Sequence, residues 1–272
     1  MSGEIKSMQL YPRAERIYAE LDALGYGPHA AVPVDVLNQF DQLHYHGTDA
    51  LDAAIAACAM CKHHAVLEVG SGWGGCARYL AQASGAKLTA VELQTDYHSV
   101  AKDLTARASL SDRVDHVNAD FLDVPLGEAS FDHAVSWLAL FHIPDRPRYQ
   151  AKIFGALKLG GMLFAEDLYL IEEPDDKEDF ARHLFPNSLV SKADYEHSLR
   201  ETGFDDVVLT DMSQDWEAFT AQRLTAFRAS RAAYTGKHGE DGYAALLTFY
   251  EKMHGYFADG VVGGVRLAAR KR

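Results

Sequence analysis

Three glycines and one glutamate have the types and the spacing to bind a nucleoside. Gly70, Gly72 and Gly74 form a G-x-G-x-G turn between the apolar run at residues 66–69 and a segment with helical character. Glycine permits the tight turn and lets a ligand approach the backbone, and helix N-terminal amides would face that ligand. Glu92 ends a second apolar run about 20 residues further on, where an acidic side chain can bind both hydroxyls of a ribose.

The elements that must position these residues alternate along the chain. Apolar runs predict strands at residues 66–69, 87–91, 114–117, 131–136 and 162–165, helices at 76–81, 95–108 and 147–157, and a turn at 158–161. This alternation predicts a mostly parallel sheet with right-handed crossovers, which binds ligands at the carboxyl ends of its strands. The side chains near such ends that could bind or react are Glu68, Glu92, Asp120, Trp137, His142, Glu166 and Tyr169.

The two flanks of this core are predicted to be more helical. Before the core, helices are expected at residues 12–24, 34–43 and 49–61, with Thr48 as the cap of the third. After the core, helices are expected at 192–202, 213–234 and 242–257, strands at 205–210 and 263–269, and an acidic surface loop at 172–179. The polar and aromatic residues 41–47 are expected to cover a bound ligand.

Composition narrows the class of protein. With 272 residues, 48% of them hydrophobic, the chain can form one large domain with a sizeable core. A formal net charge of −13 and the lack of a dense Lys/Arg run argue against a nucleic-acid binder. The sequence has no apolar run of membrane-spanning length, no signal-peptide pattern and only three cysteines. We therefore expect a reduced, cytoplasmic protein that does not bind membranes.

The cysteine and histidine pairs are not expected to bind metal. Cys58-x-x-Cys61 lies in an alanine-rich run with helical character, and the chain has no second cysteine pair. Buried helix packing therefore explains this pair better than a zinc site or a redox dithiol. His44, His46 and the histidines at 63–64 lack a matching set of ligands.

Five motifs in a fixed order resemble the class I S-adenosylmethionine-dependent methyltransferases. They are VLEVGSGWGG at residues 66–75, VEL at 91–93, NADF at 118–121, SWLALFHIPDR at 136–146 and LKLGGMLFAED at 157–167. The fourth motif, the His44-Tyr45-x-Gly47 segment, the closing helices and the Gly263-Gly264 strand look most like the phosphoethanolamine and sarcosine/dimethylglycine N-methyltransferases. Related O- and C-methyltransferases of small molecules share much of this finer pattern.

The resemblance implies one methyltransferase domain over residues 1–272. Its fold would be α/β, a doubly wound, mostly parallel, seven-stranded Rossmann-like sheet. An N-terminal helical lid would cover residues 1–48 and the cofactor-binding core residues 49–170. A C-terminal helical cap with the last two strands would cover residues 171–272. The resemblance leaves open whether the protein forms a homodimer.

The resemblance also assigns residues to the cofactor. S-adenosylmethionine would lie across the strand ends, with its methionine and ribose at the glycine turn and its adenine beyond the second and third strands. The cofactor-binding residues implied are Gly70, Ser71 and Gly72 for methionine and ribose, Glu92 for the ribose hydroxyls, Leu93, Asp120 and Phe121 for adenine, and Trp137 for the sulfonium.

The catalytic residues implied are His142, Tyr45 and Trp137. Tyr45 would close the lid, and His142 matches a histidine that some phosphobase enzymes pair with a tyrosine. Residues 34–40 contain no tyrosine for such a pair. A histidine is nevertheless suited to take a proton from an amine nucleophile, because its pKa lies near about 6.5.

The predicted function is methyl transfer from S-adenosylmethionine to a small molecule, with an amine or amino acid as the first choice of acceptor. His142, Glu166 and Tyr169 would bind the acceptor, because carboxylates and aromatic rings suit an ammonium group. Oxygen or carbon acceptors on a natural product remain the alternative within the class. A non-catalytic S-adenosylmethionine-binding protein and an NAD-dependent dehydrogenase remain the alternatives outside it.

Overall fold

Seven strands form one mixed sheet in the computed structural model, which describes residues 14–184 and 187–272. They are β1 (Ala65–Val69), β2 (Lys87–Glu92), β3 (Val114–Asn118), β4 (Phe131–Trp137), β5 (Leu157–Leu170), β6 (Phe204–Asp211) and β7 (Val262–Lys271). Their order is β3-β2-β1-β4-β5-β7-β6, in which β1 to β5 are parallel and β7 is antiparallel to β5 and β6. The predicted seven-stranded, mostly parallel α/β sheet is therefore confirmed.

Helices cover both faces of this sheet. Those in the described residues are α1 (Arg16–Ala23), α2 (Val34–Leu37), α3 (Thr48–Cys58), α4 (Gly75–Ser84), α5 (Thr95–Arg107), α6 (Arg146–Ala156), α7 (Lys177–Leu184), α8 (Lys192–Thr202), α9 (Ser213–Ala229) and α10 (Arg231–Ala258), with a 3-10 turn at Leu140–His142. Successive residues of a strand point to opposite faces. Val66 accordingly joins a core cluster with Leu80 of α4, and Leu67 joins another with Tyr149 of α6. Within the described ranges, no helix is long and apolar enough to cross a membrane.

Several predicted boundaries were wrong for local reasons. Gly47, with a φ of 50°, precedes α3 without a side-chain cap, so Thr48 is the first helical residue and not the cap. α7 begins inside the segment predicted as an acidic loop, because Phe180 and Leu184 bury one face of that helix. Residues 12–13 of the first predicted helix lie outside the described residues.

The two glycine-containing segments in which the sequence predicted breaks have different structures. The turn expected at residues 158–161 lies within β5, where the pairing with β4 shifts register and Gly160 has a φ of 82°. α9 ends at Ala229, and α10 runs from Arg231 to Ala258 with a kink at Gly239. Phe227 packs on Tyr250 and Arg228 pairs with Glu251, so α9 and the second part of α10 run back along each other about Gly239. The break that the sequence predicted between residues 234 and 242 is therefore present.

Candidate active site

A cavity of about 500 Å³ lies at the carboxyl ends of β1, β2 and β4. Its walls are residues 68–72, the segment 91–94 after β2, the loop 119–123 after β3, residues 137–139 and 142–145 after β4, and Asp41, Leu43 and His44 of the N-terminal segment. This position is where a doubly wound sheet binds its ligands, and the volume suits a small molecule or cofactor.

The glycine turn is held in a conformation that only glycine adopts easily. Gly70 and Gly72 have φ values of 75° and 51°. A Cβ atom on Gly70 would also lie 2.3 Å from the Cβ of Ala139, which follows β4. Gly70 therefore serves two purposes: it forms the turn and lets the segment after β4 approach the cavity.

Glu92 lies at the end of β2 and is fixed by the turn that it faces. Its Oε2 accepts a hydrogen bond from the Gly72 amide at 2.7 Å, and its Oε1 accepts one from the Gln94 amide at 2.8 Å. Burial raises the pKa of Glu92, while these amides oppose the shift. A carboxylate has about four lone-pair sites, so Glu92 can accept further hydrogen bonds from a ligand in the cavity.

Glu68 is a buried acid on the cavity wall to which the sequence pattern assigned a strand end but no role. Its Oε2 and the Ser71 Oγ are buried without a hydrogen-bond partner among the described residues. Burial raises the pKa of Glu68 to about 8, although the Arg78 guanidinium opposes this shift. Unsatisfied buried polar atoms are costly, so these two mark where a polar ligand would supply partners.

The far end of the cavity is formed by the loop after β3. Asp120 Oδ1 accepts a hydrogen bond from the Leu122 amide at 2.9 Å, and Phe121 is buried against the Lys152 ammonium, 5.6 Å from its ring centre. Arg148 and Asp123 form an ion pair of 3.0 Å at the rim. The structure therefore brings Leu93, Asp120 and Phe121, which the resemblance assigned to the adenine, into the walls of one cavity.

The opposite end is aromatic. Trp137 and His142 line it, together with Leu138, which has the unusual φ of 52° for a residue with a side chain. The Trp137 indole nitrogen is buried, and the described part of the chain offers it no hydrogen-bond partner. Strained backbone and unpartnered polar atoms often mark functional sites.

The structure places Tyr45 outside this cavity. Its ring packs against Trp216 and Phe257 of the cap, at centroid distances of 4.8 and 6.1 Å, beneath the Arg223 guanidinium. The neighbouring His44 lines the cavity wall instead. Tyr45, which was expected to close the lid as a catalytic residue, does not belong to the cavity walls, because its ring is buried in the apolar cluster that joins the N-terminal segment to the cap.

The expected positions of Glu166 and Tyr169 are also wrong. β5 does not end near Ala165 but pairs with β7 as far as Leu170, so both residues lie within the strand. Glu166 forms an ion pair of 2.6 Å with Arg266, and the Tyr169 hydroxyl donates to Asp211 at 2.8 Å. Neither side chain belongs to the cavity walls that the structure describes.

Asp167, the neighbour of Glu166 in β5, is buried in a separate hydrogen-bond cluster. It accepts from the Tyr195 hydroxyl at 2.9 Å and from the Phe141 amide at 3.3 Å. Burial raises the pKa of Asp167 to about 6. Because Phe141 precedes His142 in the 3-10 turn, Asp167 helps to hold that turn and does not face the cavity.

Sequence reasoning missed the pair that anchors the N-terminal segment. Asp41 and Arg78 form an ion pair of 2.8 Å, and both side chains are fully buried. Arg78 also donates to the Thr105 hydroxyl and to the Ala101 carbonyl oxygen. The signal was an arginine on the buried side of the helix after the glycine turn, which requires an acidic partner.

Comparison with known proteins agrees with this geometry. Residues 67–165 match the sequence model of a family described as a methyltransferase domain. The O-methyltransferase cnsE of Penicillium expansum is 31% identical over 152 residues, which is 55% of this chain and 55% of that protein. The sarcosine/dimethylglycine N-methyltransferase of Halorhodospira halochloris is 27% identical over 148 residues, 54% of this chain and 53% of that protein. The chain thus spans about half the length of these curated relatives.

A solved structure shows the same fold. Phosphoethanolamine N-methyltransferase 2 of Haemonchus contortus, in complex with phosphomonomethylethanolamine and S-adenosylhomocysteine, matches with a TM-score of 0.79 and 21% identity. The match covers 85% of this chain and 54% of that one. The chain therefore shares the fold of this solved structure, and its residues 67–165 match the model of a methyltransferase domain.

Proposed function

We propose that this protein transfers a methyl group from S-adenosylmethionine to a small molecule. The observation that carries the proposal is the cavity at the strand ends, in which Glu92 faces the Gly72 amide at 2.7 Å. A carboxylate and a glycine turn on the wall of one cavity suit a ribose with an attached amino acid. The match to a methyltransferase domain over residues 67–165 supports the reaction type.

The residues present fit this cofactor. Glu68 Oε2 and Ser71 Oγ are unpartnered atoms on the side of the glycine turn, where the charged methionine part would bind. Glu92 would hold the ribose hydroxyls, and Asp120 with Phe121 would hold the adenine. The bound cofactor supplies an electrophilic methyl group. The chain has only to position the acceptor and exclude water, and positioning alone can contribute roughly 7–11 kcal/mol.

We further propose that the acceptor atom is a hydroxyl oxygen. Of the three residues expected to hold an ammonium group, Glu166 and Tyr169 do not line the cavity, and only His142 does. The His142 ring at the aromatic end can either donate to or accept from a neutral hydroxyl, whereas an ammonium group can only donate. The likeness to an O-methyltransferase over 55% of the chain supports this choice.

The proposal is tested in two steps. Calorimetric titration should show binding of S-adenosylmethionine and S-adenosylhomocysteine. Release of S-adenosylhomocysteine is then assayed with catechol and other phenols, glycine, sarcosine, dimethylglycine, aromatic amines and phosphoethanolamine. We expect turnover with a phenol. Preference for sarcosine or phosphoethanolamine would overturn the choice of oxygen, and failure to bind either cofactor form would overturn the methyltransferase assignment.

A further inference from the structure

His142 reaches the cavity wall from a short segment that needs support from the rest of the chain. The segment is the 3-10 turn at Leu140–His142, which follows β4. A single turn of this kind has few hydrogen bonds of its own, and their geometry is poor. The ring of the neighbouring Phe141 is buried in the apolar cluster that includes Trp216 of the cap. The position of His142 therefore depends on what holds the backbone of Phe141.

Both backbone polar groups of Phe141 are bound by distant parts of the chain. Its amide donates to Asp167 Oδ1 of β5 at 3.3 Å. Its carbonyl oxygen accepts from the Ser188 amide at 2.6 Å and from the Ser188 hydroxyl at 3.2 Å. That carbonyl group belongs to the peptide bond with His142. Asp167 and Ser188 thus hold the two peptide groups that flank Phe141, and the second of these begins the backbone of His142.

A buried pair of opposite charges supports both contacts. Asp167 Oδ2 accepts from the Tyr195 hydroxyl at 2.9 Å, and the Arg146 guanidinium lies 4.0 Å from the centre of the Tyr195 ring. Arg146 also donates to the Ser188 carbonyl oxygen at 2.8 Å. The Asp167, Tyr195 and Arg146 side chains are buried. Together with Ser188 these residues form one connected group, the Asp167 cluster, which binds Phe141 from two sides.

The charge of Asp167 strengthens its contact with the Phe141 amide. Burial raises the pKa of Asp167 to about 6, while the Arg146 guanidinium and the Tyr195 hydroxyl oppose this shift. At neutral pH the side chain is therefore mostly a carboxylate, whose two oxygens accept from the Phe141 amide and from Tyr195. Hydrogen bonds to an ionised group are roughly twice as strong as neutral ones. Asparagine keeps the shape of this side chain but loses that strength.

The Asp167 cluster has a direct connection to the cavity through this turn. Asp167, Tyr195, Arg146 and Ser188 do not belong to the cavity walls that the structure describes, whereas His142 does. We propose that Asp167 and Arg146 are positioning residues for the acceptor. By holding the Phe141 backbone from two sides, they keep the His142 ring where the acceptor binds. The inference rests on the proposed function, in which His142 contacts the acceptor.

Hydrogen exchange of the Phe141 amide tests this hold without any acceptor. We expect Asp167→Asn to accelerate its exchange about fivefold or more at pH 7, because the amide loses a charge-assisted hydrogen bond. Exchange is measured by NMR relative to amides of β1, so that a change in global stability cancels. Equal relative exchange in Asp167→Asn and wild type would overturn the proposed hold.

Asp132→Asn is the matched control for the exchange measurement. Asp132 also accepts a hydrogen bond from a backbone amide, that of Ala65 at 2.8 Å, but it lies near the amino end of β4. We expect its variant to leave the relative exchange of the Phe141 amide within about twofold of wild type. An equal acceleration in both variants would overturn the specific role of Asp167.

A second measurement asks whether Asp167 acts through His142. Asp167→Asn should raise the KM of the best acceptor in the panel about tenfold, while the affinity for S-adenosylhomocysteine stays within about threefold. Asp132→Asn should change neither. A variant that is merely less stable loses active enzyme and therefore turnover, but its remaining folded enzyme keeps the wild-type KM.

The His142→Ala background makes this measurement decisive. There, Asp167→Asn should raise the KM by less than about twofold, because residues that act through one another are not additive. The same increase in both backgrounds would overturn the positioning role. If the wild type turns over no acceptor of the panel, the proposed function fails and the role at the acceptor fails with it. The exchange of the Phe141 amide still decides on the hold of the turn.

Discussion

The two ends of the cavity are built by different means. At the end formed by the glycine turn and Glu92, the cofactor end of our proposal, backbone groups position the site. Gly70 and Gly72 adopt positive φ values, and the Gly72 and Gln94 amides fix Glu92. At the aromatic end, side chains from different parts of the chain form the cavity wall. Trp137 lies at the end of β4, and His44 lies on the N-terminal segment, which is distant in sequence. That segment depends on one buried ion pair, Asp41 with Arg78.

This difference predicts where each end is vulnerable. A turn fixed by local backbone geometry forms wherever its own residues permit it. A segment held by a buried charge pair is lost when one charge is removed, because the other is left buried and unpaired. Substitutions should therefore affect the cofactor end through ligand binding and the aromatic end through stability and the placement of residues 41–47.

The largest effect is expected for Arg78→Met. It leaves the Asp41 carboxylate buried without its partner, and breaking such a pair costs about 3–5 kcal/mol of unfolding free energy. Urea unfolding measures the loss, and amide hydrogen exchange should become faster across residues 41–47. Arg182→Met removes an exposed ion pair with Glu178 and should cost at most about 1 kcal/mol. Equal losses in the two variants would contradict the anchoring role of Arg78.

The cofactor end was predictable because its signals are local. Gly70 and Gly72 show by residue type that the backbone needs positive φ, and Glu92 follows at a spacing fixed by one strand–helix–strand unit. The same logic located Asp120 and Trp137 at the next strand ends. Glu68 was assigned no role, since nothing in the local sequence shows whether a glutamate inside a strand will face a ligand.

The aromatic end was not predictable because its structure depends on residues that are distant in sequence. Whether Tyr45 or His44 faces the cavity depends on the apolar cluster of Trp216 and Phe257, which lies more than 150 residues away in sequence. Glu166 and Tyr169 were misplaced because the length of β5 is set by its partner β7, which comes from the end of the chain. Pairing between distant strands overrides the local pattern.

The next effect concerns Glu68 and depends on pH. Its native pKa of about 8 lies above the unfolded value of 4.5, so the unfolded state releases its proton first as the pH rises. The wild type therefore loses stability between about pH 4.5 and 8, and Glu68→Gln lacks this loss. We expect the variant to gain up to roughly 1.4 kcal/mol per pH unit relative to wild type in that range.

Urea unfolding at pH 5, 6, 7 and 8 without cofactor measures this gain. Glu128→Gln, at an exposed glutamate, is the control and should follow the wild-type curve. Parallel curves for Glu68→Gln and wild type would mean that Glu68 is ionised in the folded protein. The unsatisfied Oε2 of Glu68 would then need a hydrogen-bond partner from another source.

A smaller effect is expected for Glu92→Ala, on binding rather than on folding. Hydrogen bonds to a charged group are worth about 1.5–3 kcal/mol, so the affinity for S-adenosylmethionine should fall at least about tenfold. Calorimetric titration of the folded variant measures it, again with Glu128→Gln as control. Unchanged affinity would remove Glu92 from the cofactor site and would weaken the contrast between the two ends.

The smallest effect is expected for Tyr45→Phe, which tests the aromatic end most directly. The ring would keep its contacts with Trp216 and Phe257, and only the hydroxyl that interacts with Arg223 would be lost. The unfolding free energy should fall by about 1 kcal/mol, typical of one hydrogen bond. Because the hydroxyl lies outside the cavity, turnover should stay within about threefold of wild type, whereas loss of a general acid or base typically costs about 100-fold or more. A loss of turnover of about 100-fold in folded Tyr45→Phe would contradict this prediction and would support the catalytic role that the resemblance implied for Tyr45.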